Sequence, residues 1–145
     1  MTNRLALTLP ALSFAALLAA ALSGCGDGHT PRLSNLRLDG QAPDSPLVLL
    51  LSFDFVDEDG DLADGVLDTF LNSSPTSAGP LPLLPIFIGS DVEPGASQGH
   101  LEFVLELSFA DPPPSSGSSF TMGTRATDGG DNTSTTQELR LKLEY

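Results

Sequence analysis

Several resources of a small protein are scarce in this sequence. It holds one cysteine, Cys25, one tyrosine, Tyr145, and no tryptophan. A lone cysteine excludes an internal disulfide, so stability must come from packing or from a bound metal. Cations are also scarce: 6 Lys and Arg stand against 19 Asp and Glu, for a formal net charge of −13. A surface that tracks phosphates needs clustered cations, so nucleic acid is excluded as a partner. Aromatic residues make up 6 %, which leaves little for a sugar-stacking platform. The chain is nonetheless too apolar to stay disordered, with 40 % hydrophobic residues against 17 % charged ones.

The first apolar feature is at the start. Met1 to Arg4 carry one positive charge, and Leu5 to Leu22 are apolar apart from Thr8, Pro10 and Ser13, the pattern of a secretory signal. The stretch ends in Leu22-Ser23-Gly24-Cys25. It resembles the lipobox of bacterial lipoproteins, which implies cleavage before Cys25, a diacylglycerol thioether on its sulfur and acylation of its amino group. Several acyl chains, at about 0.8 kcal/mol per buried CH₂, anchor a small domain on a membrane. Gly26 rather than Asp follows the cysteine, and by the same resemblance this implies passage to the outer membrane. The domain reading is therefore a signal peptide over 1–24, the lipidated cysteine and a turn-rich tether over 25–32, and a folded body over 33–145.

The body alternates apolar and polar residues in short runs, which predicts strands over 33–39, 47–56, 66–71, 101–109, 120–127 and 137–145. Leu101 to Phe109 is the clearest, with Leu101, Phe103, Leu105, Leu107 and Phe109 facing one way. Leu81 to Ile88 contains Pro82 and Pro85 and is expected as an edge strand, since proline cannot donate to a ladder. No helix is expected after Leu22. Seven short strands separated by Gly, Pro and Asp turns indicate an all-β, seven-stranded antiparallel sandwich of immunoglobulin-like type, with a partly open barrel as the alternative.

Between the second and third strands, Asp57, Glu58, Asp59, Asp61 and Asp64 place five carboxylates within eight residues. Such a cluster is strained unless a cation compensates it. Calcium takes 6–8 oxygens in flexible geometry, and Asp57, Asp59 and Asp61 at alternate positions of a turn can converge on one ion. Gly60 permits the reversal. The loop is not an EF-hand, because Leu62 stands at the sixth position where that motif requires Gly. If strands alternate in direction, the turn after the sixth strand lies at the same end, and Asp128, Asp131 and Asn132 can join the site. A solvated acidic turn is the plainer reading, since Asp and Gly are common turn residues. The sequences Asp57-Glu58-Asp59-Gly60-Asp61-Leu62 and Ala126-Thr127-Asp128-Gly129-Gly130-Asp131-Asn132-Thr133-Ser134 resemble the loop and last-hairpin turns of immunoglobulin-like, cadherin-like and PKD-like modules of bacterial surface proteins, with Asp131 where that pattern has Gly.

No catalytic constellation stands out. Glu102 and Glu106 are explained by alternation on one strand face, and neither His29 nor His100 sits in a hydrolase motif. The sequence thus points to a membrane-anchored, non-enzymatic binding or structural module, projecting its acidic loop end towards a protein or glycan of the envelope. The competing reading is a substrate-capturing accessory lipoprotein of an enzyme or transport system, which a deep pocket would favour.

Overall fold

The computed structural model describes residues 29–108, 110 and 112–145. The signal segment and Cys25 lie outside the described residues. The body is all-β, and its two antiparallel sheets share one core. One sheet runs β1 (Arg32–Ala42), β2 (Ser45–Val56), β6 (Gln98–Glu106). The other is centred on β3 (Val66–Leu71) and β7 (Ser119–Thr127), with β8 (Gln137–Lys142) beyond β7. Two short strands, β4 (Ser74–Pro75) and β5 (Leu81–Pro82), pair with successive parts of β3. The described residues thus hold eight strands where alternation predicts seven.

Alternation decides the core. Leu49, Leu51, Phe53 and Phe55 of β2 and Leu101, Phe103 and Leu105 of β6 point inward, against Leu67, Phe120, Met122 and Ala126 of the second sheet. In β1 the rhythm breaks. Leu33 and Leu36 are both buried although three residues apart, because Asn35 adopts φ 54 and the pairing slips between Ser34 and Arg37. This bulge returns the following leucines to the core side.

The expected edge strand over 81–88 is corrected in part, as is the expectation of no later helix. Only Leu81–Pro82 is extended, and Leu83–Gly89 forms α1. The prolines permit this. Pro82 is the extended residue before the first turn, and Pro85 falls in that turn, where N–H groups have no intrahelical partner to lose. Leu83 and Phe87, four apart, put both side chains in the core, and Phe87 meets Phe55 with ring centroids 5.1 Å apart. Ser90, just after α1, accepts the Glu102 N–H at 2.8 Å and so caps part of the free edge of β6.

Candidate metal centre

The acidic loop begins where β2 leaves the sheet. The Asp57 N–H donates to Ser97 O at 2.8 Å, which extends the β2–β6 seam by one residue. Gly60 then reverses the chain at φ +73, so close to Gly95 that a Cβ would lie 2.8 Å from its carbonyl oxygen. Leu62 and Ala63, in a single 3₁₀ turn over Leu62–Asp64, plug this end of the core. Their burial carries the loop inward, and the Leu62 N–H donates to Asp57 Oδ2 at 2.9 Å. Asp57 is consequently 1 % exposed. Gly65 next passes under the second turn, where a Cβ would lie 1.9 Å from Thr127 O.

That second turn is organised by Asp128, which is 3 % exposed. Its Oδ1 accepts the N–H groups of Gly130 at 2.9 Å and Asn132 at 2.8 Å, and the Asn132 amide donates to Oδ2 at 3.1 Å. Asp131 adopts φ 66, a left-handed conformation that favours glycine and that Asp tolerates. Ser134 accepts the Ala126 N–H through Oγ at 3.0 Å, closing the turn. The Gly129 N–H reaches across to Asp61 O at 3.2 Å, so the two acidic turns are stitched together at one end of the molecule.

Four carboxylates converge there. Asp57, Asp59, Asp61 and Asp128 each offer an oxygen, and these oxygens lie within 4.8 Å of one another. Of the residues singled out from sequence, the structure brings these four together. Asp131 stays on the exposed rim, and Asn132 presents its amide nitrogen to Asp128. Asp57 Oδ1 and Asp61 Oδ1 are buried without a hydrogen-bond partner. Unit charges at this spacing repel by roughly 1 kcal/mol in water and about 3–4 kcal/mol in a partly desolvated site. The Asp57 carboxyl is accordingly pushed up to about 6, chiefly by burial, with Asp59 and Asp61 adding to it and the Leu62 N–H opposing it. Burial, then Asp128 and Asp59, also raise Asp61. Asp59 moves the other way because the His29 imidazole donates to its Oδ2 at 2.8 Å. Among the described residues no cation forms an ion pair with Asp57, Asp61 or Asp128; Arg32 pairs only with the exposed Glu58, at 3.6 Å.

The donors are all carboxylate oxygens, which suits a hard divalent cation. Several carboxylates at once suit calcium better than magnesium, which keeps most of its waters. The orphaned buried oxygens of Asp57 and Asp61 are what such an ion would satisfy.

His100 lies on β6 opposite Asp54 and donates through Nδ1 to Asp54 Oδ1 at 2.7 Å. Asn35 donates to the other Asp54 oxygen at 2.6 Å, so the outer face of this sheet carries a polar network separate from the acidic turns. The role of the Gly95–Ser97 segment in shaping the metal centre had no motif to announce it.

No family model matches the chain, and no curated protein matches it. Among solved structures, the spore cortex lytic enzyme SleM of Clostridium perfringens is similar with a TM-score of 0.43 and 16 % identity, over 77 % of this chain and 27 % of that one. The chain thus spans about a quarter of that enzyme's length.

Proposed function

We propose that the chain is an envelope lipoprotein, held on a membrane by lipid on Cys25, whose body is a non-enzymatic immunoglobulin-like binding or structural module with a calcium-stabilised loop end. The observation that carries the metal part is Asp57: a carboxylate 1 % exposed, with one oxygen unpartnered, facing three other carboxylates. Asp57, Asp59, Asp61 and Asp128 hold the ion, and Asn132 holds Asp128. Bound calcium supplies the positive charge that lets all four ionise and locks the two turns together.

Support for the immunoglobulin-like reading comes from strand order. With β1, β2, β3, β6, β7 and β8 taken as strands A, B, C, E, F and G, the pairings β1-β2-β6 and β3-β7-β8 follow the two sheets of that architecture. The non-enzymatic reading draws on His100, whose two ring nitrogens are both engaged, Nδ1 with Asp54 at 2.7 Å and Nε2 with the Arg37 guanidinium at 3.2 Å. The accessory-lipoprotein alternative draws on a groove of about 570 Å³ beside α1, lined by Leu50, Leu81, Pro85, Ile86 and Val104.

Two measurements test the proposal. Cys25→Ser moves the protein from the membrane fraction to the soluble one, and retention in the membrane would sink the anchor. A melting scan in calcium against chelator raises the transition, and coincident curves would sink the metal.

A further inference from the structure

The chain enters the body at the acidic end. β1 starts at Arg32, which pairs with Val56, the last residue of β2 before the acidic loop. His29 already touches Asp59. Cys25 precedes His29 by four residues, and four residues of chain reach at most about 14 Å in any conformation. A lipid on Cys25 therefore leaves Asp59 within reach of the headgroups without by itself holding it against them. The β1–β2 turn at Pro43 and Asp44 sits at the far end of the twelve-residue β2, about 35 Å away.

The site is open on one side. Asp57 and Asp128 form its buried floor, while the Asp59 side chain is 31 % exposed. One oxygen from each of four aspartates leaves calcium short of its usual 6–8 ligands. A chain of net charge −13 is repelled by an anionic leaflet unless a cation lies between them.

We propose that the acidic end faces the membrane and that its calcium also takes phosphate oxygens of anionic lipid headgroups, bridging the module to the bilayer that holds Cys25. This rests on the calcium and lipid reading above. It turns the β1–β2 turn and the outer sheet faces, rather than the acidic loops, towards other envelope components.

The test uses the lipidated full-length mature protein in nanodiscs of phosphatidylcholine alone or with phosphatidylglycerol, carrying Glu58→Cys or Asp44→Cys. Cys25 is blocked by its thioether, so a fluorophore reports only the new thiol, and a headgroup spin label quenches it by proximity. With phosphatidylglycerol and calcium the label at 58 loses most of its fluorescence, regains it in chelator, and the label at 44 stays bright throughout. Melting of the same samples scores calcium binding by itself. Calcium that raises the melting transition while leaving the label at 58 bright overturns the bridge and spares the metal site. Equal quenching at 58 with and without calcium, or in phosphatidylcholine alone, assigns the proximity to the tether and also overturns the bridge. No melting shift removes the calcium and the bridge together.

Discussion

Asp57→Asn separates the burden of a buried charge from the benefit of a metal. The side chain is 1 % exposed, and its Oδ1 has no hydrogen-bond partner. Its folded pKa, pushed from 3.8 to about 6, lies above the unfolded one. The folded state therefore binds the proton more tightly. This contribution is fully present below about pH 4 and is lost as pH rises towards and through about 6. The displacement corresponds to about 3 kcal/mol of stability missing from the metal-free protein at neutral pH. Asparagine keeps a carbonyl oxygen for the Leu62 N–H, carries no charge, and offers its amide to the neighbouring carboxylates. In chelator at neutral pH the variant should melt above the wild type by up to about 3 kcal/mol, roughly 10 °C for a domain of this size. Its stability should also be flatter between about pH 4 and 6. With calcium the order inverts: the wild type gains about 4.1 kcal/mol when the ion is at about a thousand times its Kd, more than the variant's advantage in chelator, and the variant gains far less. Thermal melts followed by circular dichroism, in chelator and in calcium, read both signs. A variant that melts below the wild type in chelator would refute the reasoning.

Other sites give independent checks. Asp128→Ala leaves the Gly130 and Asn132 N–H groups without their acceptor and should cost about 2–4 kcal/mol in urea titrations with or without calcium; unchanged stability in chelator would contradict its organising role. Gly65→Ala drives a Cβ to 1.9 Å from Thr127 O and should cost more than about 4 kcal/mol, seen as insoluble or unfolded protein; a wild-type melting point would contradict the close crossing of the turns. Phe87→Ala empties a fully buried position against Phe55 and should lower stability by about 3–5 kcal/mol. A loss of under about 1 kcal/mol would mean that α1 is not part of the core.

Much of this arrangement is legible in the residues. On β6, Leu101, Phe103 and Leu105 are buried while Glu102, Val104 and Glu106 face water, as strict alternation requires. Alternating strand direction brings the Asp57 and Asp128 turns to one end, because every second antiparallel reversal returns the chain to the end it left. Other features depend on geometry that no short window holds. The Asn35 bulge shifts β1 by one residue, and only the pairing with β2 shows it. The run Leu81 to Ile88 carries neither strand alternation nor a clear helical stripe, so the prolines read as edge signals although they sit harmlessly at a helix start. Burial of Asp57 follows from Leu62 packing beneath sheets whose other strands come much later in the chain. The Asp54–His100 pair depends on the β2–β6 register, which one residue of slip would abolish.

The central claim is that the four aspartates hold calcium, and calorimetric titration of the chelator-treated mature protein at neutral pH tests it most directly. The account predicts saturable binding of one ion per chain, with the heat lost in Asp57→Asn. No heat of binding, together with a melting transition that calcium leaves unmoved, would contradict it.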